Sequence, residues 1–392
     1  MKTIQNLLLL LASTLVALLL AEGGLRMAGM HGAWFTELDP DLGWRLQAGV
    51  QGWHTKEGNT LVTINSEGMR DRERSKAKPD DVYRIALLGD SFIEGLQVHA
   101  DETLNARLEQ QLSQCDAFTG TRVQVLNFGV SGYGAVQAAL AVKYKAADFS
   151  PDLAVLGFDT VNDVRDSYRP ISPQPYRPFL IENTDGSFSV DNSFRDTTFY
   201  RSRSQWHWNL YYKLLGHSRL LQLVKRLYSG ATGLNRETVA PDGQPGKEEG
   251  NYQSYLPPTD EQWHAAWRHS EAAIELFQNN ARASGAKALM VVLGTGIQIH
   301  PDPDHRSRMA ARFGVADWLD PDRRLLEIAR NHDLPALSLT EPMREAAEQG
   351  GKALHYLSDR TRTWGHWNAL GHATAARILG DRICAMRGAN TL

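Results

Sequence analysis

Short apolar runs recur along the chain at intervals that helices can fill. Residues 85–88, 123–126 and 153–158 are the first three, and each is followed closely by Gly, Asn or Asp. Runs of this length, apolar on both faces and ended by turn residues, predict buried strands of a parallel sheet. Between them, the Leu104/Leu108/Leu112 spacing predicts one helix and residues 135–147 another. The rhythm breaks over residues 166–255. It resumes with a helix over 261–284, a strand over 288–293, a helix over 321–331, a strand over 336–339 and an alanine-rich last helix through Met386. Strands alternating with helices predict an α/β fold. Sites in such sheets lie beyond the carboxyl ends of the strands, which is where Ser91, Gly132 and Asn162 fall.

The N-terminus has a different pattern. Residues 7–21 are apolar apart from Ser13 and Thr14, and Lys2 precedes them. At about 1.5 Å per residue this run falls short of a ~30 Å hydrocarbon core unless its flanks are recruited. Two readings stay open for residues 1–27. One is a signal peptide cut near Ala21-Glu22-Gly23; the other is an uncleaved anchor completed by residues 4–6 and 23–25. Either way the bulk of the chain is exported, with Lys2 on the cytoplasmic side.

Residues 28–80 carry turn signals around short runs such as 60–64, which predicts a small irregular region with one or two strands. Asn65 to Asp71 reads as a tight turn with Arg70 and Asp71 facing solvent. The interruption at 166–255 is rich in Pro, Tyr, Phe and Trp; a single helix is predicted over 204–228, and residues 230–250 read as a mobile link. Beside a catalytic edge, such an insertion is either a substrate-covering lid or a packing element.

Composition narrows the function. The 392 residues are 42% hydrophobic and 22% charged, enough for an ordinary globular core. A net charge of −3 with no basic stripe argues against a nucleic-acid partner. Cys115 and Cys384 lack metal-ligand spacing, so no metal site is expected, and nothing in the chain calls for a cofactor. What remains is the stretch Gly89-Asp-Ser91, a strand-to-helix turn. There a hydroxyl is exposed, and backbone N–H groups can receive a developing negative charge.

Four blocks together resemble the SGNH, or GDSL-type, hydrolase family over residues 84–383. Gly89-Asp-Ser91 matches the nucleophile block, and Asn127 to Gly134 the glycine block with Gly132 at the oxyanion position. Asn162-Asp163 matches the block of the second oxyanion donor. His366, in Gly-His-Trp-Asn-x-x-Gly-His372, matches the histidine block. The N-terminal run and Asn65-x-x-Gly-x-Arg70 resemble membrane-anchored bacterial members.

The resemblance implies a three-layer α/β/α sandwich with a mainly parallel, flavodoxin-like sheet, interrupted by the aromatic insertion. It implies Ser91 as nucleophile and His366 as base. The Ser91 N–H, the Gly132 N–H and the Asn162 amide would be the oxyanion donors, each typically worth ~3 kcal/mol of barrier. The family's acid normally stands two or three residues before the histidine, but Thr363 and Trp364 are there. Asp359, seven residues upstream, is the candidate; the alternative is a Ser-His dyad oriented by a backbone carbonyl. The resemblance also puts the first and last helices on one face of the sheet, so Cys115 and Cys384 can pair in an oxidising compartment. Asp90 is expected to cap, Asp163 to organise the Asn162 turn and His372 to pack.

The function implied is an exported esterase acting on acyl esters of glycans, lipids or small molecules. It would sit in the bacterial inner membrane with its domain in the periplasm, or be secreted if the N-terminus is cleaved. Two alternatives are an O-acyltransferase acting on cell-envelope glycans and a non-catalytic protein that has kept the fold.

Overall fold

The computed structural model describes residues 2–30, 32, 34–232, 252–356, 365–389 and 391. Helix α1 (Lys2–Met27) is apolar and has no buried residue. Two antiparallel hairpins follow, β1 (Thr36–Asp39) with β2 (Gly43–Leu46), and β3 (Gln51–His54) with β4 (Thr60–Thr63). The alternating layers then begin with β5 (Val82–Leu88), α2 (Ser91–Glu94), α3 (Leu104–Leu112), β6 (Arg122–Asn127), α4 (Ala135–Tyr144), β7 (Leu153–Asp159) and α5 (Asn162–Asp166).

The insertion holds a hairpin, β8 (Phe179–Glu182) with β9 (Phe188–Asp191), and helices α6 (Thr198–Arg203), α7 (Trp206–His217) and α8 (Arg219–Thr232). The chain closes with α9 (Glu261–Ala283), β10 (Lys287–Leu293), α10 (Pro303–Phe313), α11 (Asp320–Asn331), β11 (Ala336–Ser338), α12 (Thr340–Gly350) and α13 (Ala369–Gly388).

Five strands form one parallel sheet in the order β11-β10-β7-β5-β6. Every residue of β5 is buried, and its side chains alternate between two cores. Ala86 and Leu88 pack with α4, α9 and α11, while Tyr83, Ile85 and Leu87 pack with α3, α12 and α13. The period of two therefore divides the apolar run between two helix layers. This is the α/β/α sandwich expected from the sequence.

The N-terminal hairpins are part of the same body, because Trp44, Leu46, Val62 and Ile64 lie in the core that α4 and α9 share. Cys115 and Cys384 are joined in a disulfide with Cα atoms 6.0 Å apart, tying the end of α3 to α13.

Two expectations need correction. Arg70 and Asp71 are not solvent-facing. Buried Arg70 donates to the carbonyls of Glu94 (3.3 Å) and Val98 (2.5 Å), and burial holds its pKa down at about 10. Asp71 pairs with Arg74 at 2.9 Å, both side chains being 3% exposed. The helix expected over 204–228 is broken at Ser218. The Glu22 carboxylate of α1 accepts the Arg219 (3.0 Å) and Leu220 (2.9 Å) N–H groups, which starts α8 as a new helix. Residues 65–71 form the tight turn read from the sequence: the Asn65 carbonyl accepts the Gly68 N–H at 3.1 Å, and its amide oxygen accepts the Glu67 and Met69 N–H groups, fixing the loop that delivers Arg70. The link read over residues 230–250 lies, from residue 233 on, outside the described residues.

Candidate active site

The carboxyl edge of β5 makes a sharp turn into α2. Asp90 is the N-cap, its carboxylate accepting the Phe92 N–H at 2.9 Å, and Ser91 is the first helical residue. Strands β6 and β7 flank β5 on either side. The turn after β6 carries Gly132, and the turn after β7 carries Asn162. The three turns thus stand side by side along one edge.

The glycine turn is clamped to the serine turn. Buried Glu94, at the end of α2, accepts the Ser131 N–H at 2.5 Å and also bonds the Ser131 hydroxyl. Gly132 has φ +77°, in the left-handed region; a Cβ there would meet the Trp44 indole at 3.5 Å. Its backbone, more than crowding, is therefore what demands glycine. In the third turn, Asp159 accepts the Val161 and Asn162 N–H groups, both at 2.7 Å. Asp163 accepts the Asp159 N–H at 2.8 Å, the organising role expected of it.

His366 reaches this edge from the chain's end. Its Nε2 is 2.8 Å from the Ser91 hydroxyl, and its Nδ1 is 2.6 Å from a carboxylate oxygen. That carboxylate belongs to Glu57, which also accepts the His366 backbone N–H at 3.1 Å. With Glu57 accepting from Nδ1–H, the Nε2 lone pair faces the serine O–H. Asp359 lies outside the described residues, and the Glu57 carboxylate facing Nδ1 is a partner that sequence reasoning missed.

Glu57 is delivered by the turn between β3 and β4. Gly58 beside it has φ +70°, and a Cβ there would sit 2.2 Å from the Gln97 carbonyl oxygen. Only glycine fits so close an approach. The same carbonyl accepts the Thr60 hydroxyl at 3.0 Å and the Tyr356 hydroxyl at 3.4 Å. Gln97 lies just beyond α2, so the hairpin docks onto the loop that follows the serine helix. One signal for this was in the sequence: a base with no acid at its usual position needs a carboxylate from elsewhere.

The electrostatics are those of a semi-enclosed relay. Burial opposes charge on His366, but the Glu57 hydrogen bond and charge, with Asp90 and Asp159 behind, outweigh it and raise the imidazole pKa. Burial likewise opposes the Glu57 charge, and the contacts with His366 win, so its pKa falls. Beneath the turn, burial and the neighbouring Asp159 push Asp90 up to about 7, and burial with the Asp90 charge raises Asp163.

Two further histidines, His355 and His372, are buried nearby. Burial, followed for His372 by the Arg70 charge, holds His355 and His372 down at about 3. His372 packs at the start of α13, as expected. Among the described residues no group of three or more His, Cys, Asp or Glu side chains is arranged to hold a metal.

No family model matches the sequence, and no curated protein resembles it closely. Solved structures align with it at low identity. An acetyl xylan esterase aligns at 13% identity over 77% of this chain and 98% of its own, with a TM-score of 0.37. A two-domain esterase active on acetylated mannans aligns at 11% identity over 78% of this chain, with the same TM-score of 0.37; the match spans 50% of that longer protein. A GDSL-like lipase from Bacteroides thetaiotaomicron aligns at 11% identity over 79% of this chain and 91% of its own, with a TM-score of 0.33. The parallel sheet of this chain sets its serine, glycine and asparagine turns side by side on one edge of an α/β/α sandwich, the arrangement that the resemblance to the SGNH/GDSL-type hydrolases implies.

Proposed function

We propose that the protein is an exported serine ester hydrolase working through an acyl-enzyme on Ser91. The observation that carries this reading is the relay Ser91–His366–Glu57, with contacts of 2.8 and 2.6 Å. In the first step the Ser91 Oγ–H proton passes to His366 Nε2 while Oγ attacks the ester carbonyl carbon. The carbonyl π electrons move onto its oxygen, which the Ser91 N–H, the Gly132 N–H and the Asn162 amide stabilise. Collapse expels the alkoxide, which takes the proton from His366. Water then repeats the sequence on the acyl-enzyme and releases the acid.

Glu57 holds the tautomer that leaves Nε2 free and stabilises the imidazolium that forms. The lack of an Asp just before His366 is the best argument for a non-catalytic binding protein, and the Glu57 carboxylate supplies the missing group.

Export is supported by α1, which is long and apolar enough to cross a membrane, and by the Cys115–Cys384 disulfide, which suits an oxidising compartment. Glu22 and Arg26, just past the apolar run, are engaged with Ser218 and His217, which favours retention of α1 as an anchor over its removal. The domain then lies in the periplasm of a bacterium, facing acyl esters of glycans, lipids or small molecules.

The test is fluorophosphonate labelling with peptide mapping, alongside an ester panel of graded acyl length. Labelling at Ser91 and turnover of one acyl class are expected. Labelling that persists in Ser91→Ala overturns the assignment.

A further inference from the structure

Beyond α1, the described residues carry ten large exposed apolar side chains, and six of them lie on α7 and α8. On α7 these are Trp206, Leu210 and Leu214, at i, i+4 and i+8, with 76%, 48% and 49% of their surface exposed. On α8 they are Val224, Leu227 and Tyr228, at i, i+3 and i+4, with 54%, 64% and 62% exposed. Each helix therefore leaves one apolar stripe uncovered. The opposite face of α7 is in the core, where Tyr212 stacks on Trp34 at 5.5 Å.

The charge of this unit departs from that of the chain. Residues 198–232 hold six Lys or Arg and no Asp or Glu, in a protein whose net charge is −3. Apolar stripes with Trp and Tyr, flanked by basic residues and free of acids, are the composition of helices that lie in a membrane interface.

The placement agrees. The apolar run of α1 ends at Ala21, and the next residue is Glu22. The Glu22 carboxylate accepts the Ser218 hydroxyl at 3.0 Å together with the first two N–H groups of α8, at 3.0 and 2.9 Å. One turn on, Arg26 donates to the His217 carbonyl at 2.6 Å. The junction of α7 and α8 is thus fixed to α1 where that helix leaves the hydrocarbon.

We propose that the α7–α8 hairpin is a second membrane contact, its exposed apolar stripes seated among the headgroups of the anionic bilayer that α1 crosses. This rests on the reading of α1 as a retained anchor. The insertion, in this view, joins α1 in fixing the height and tilt of the hydrolase domain over the membrane.

The full chain tests it, since its two native cysteines are already paired. Leu11→Cys, Leu210→Cys, Leu227→Cys and Asp185→Cys are each labelled with an environment-sensitive fluorophore and reconstituted in phosphatidylglycerol–phosphatidylcholine vesicles. Quenching is read from nitroxides at shallow and deep positions on the lipid and from aqueous iodide. The labels at 210 and 227 should be quenched several-fold more by the shallow nitroxide than the label at 185, and shielded from iodide. The label at 11 should answer to the deep nitroxide.

If 11 is in lipid while 210 and 227 behave like 185, the hairpin contact is overturned and the anchor stands. Iodide access at 11 overturns the anchor reading and this one with it. Labels at 210 and 227 that are shielded from iodide yet untouched by nitroxide lipid overturn it in favour of a protein partner or a second copy.

Discussion

The two nitrogens of His366 face regions of different construction. On the Nε2 side, Ser91 follows a fully buried central strand, and its turn is locked by Asp90, Glu94 and the glycine loop. On the Nδ1 side, Glu57 stands at the tip of a hairpin of two four-residue strands, docked at its tip by contacts around one carbonyl of Gln97. The serine's position is inherent in the sheet, since a parallel strand feeding a helix must turn there. The acid's position is contributed by a segment that precedes the α/β layers altogether. The two sides should therefore be separable, and damage to the hairpin should cost activity before it costs the fold.

The largest effect expected is that of Ser91→Ala, a loss of about 10⁶-fold in kcat at unchanged melting temperature. Turnover of an ester substrate and a thermal melt check both halves. Next comes Glu57→Gln, which keeps the side-chain shape but no longer fixes the tautomer; kcat should fall by about 10³- to 10⁴-fold. Its pH profile sharpens the comparison. His366 must be neutral to act, and Glu57 raises its pKa, so the acid limb of kcat/KM in the parent lies above the ordinary histidine value. In any residual activity of Glu57→Gln that limb should move to lower pH. An unmoved limb would mean that Glu57 is not the charge facing the base.

Gly58→Val strikes the hairpin without touching a reacting group. Forced off φ +70° and into the Gln97 carbonyl, the turn should shift by about an ångström and cost about 10²-fold in kcat. A loss that tracks global unfolding instead would join the two regions that the comparison separates. Smallest of all, Asp359→Asn should leave turnover close to that of the parent protein, because Nδ1 already has its carboxylate. A collapse of activity there would return the acid's role to Asp359.

How much of this was legible follows the same division. The Ser91 turn could be read because its causes are local: an apolar run, a glycine, a capping Asp and a helix spacing. The histidine block and the Asn162 turn are likewise short and contiguous. Glu57-Gly-Asn, by contrast, looks like any surface turn, and nothing within ten residues shows that Gln97 will meet it. The break at Ser218 was hidden for the same reason, as the group that caps α8 is on α1, almost two hundred residues away. Arg70 looked solvated because its acceptors are carbonyls, which carry no side-chain signature. Contacts made through backbone atoms at long range are what the sequence conceals.

The disulfide between Cys115 and Cys384 makes most of the α/β domain a closed covalent ring, 269 residues in separation. Closing so long a loop restricts the unfolded chain by about 5.6 kcal/mol in the loop-entropy account. The ring also changes what a protease can accomplish. A single cut anywhere between the two cysteines, including one in the insertion, opens the ring without releasing a fragment. Ser91 lies before the ring and His366 within it, so one such nick leaves the serine and its base on the same covalent molecule. The protein can thus be clipped once by a protease and remain in one piece until a reductant reaches the bond.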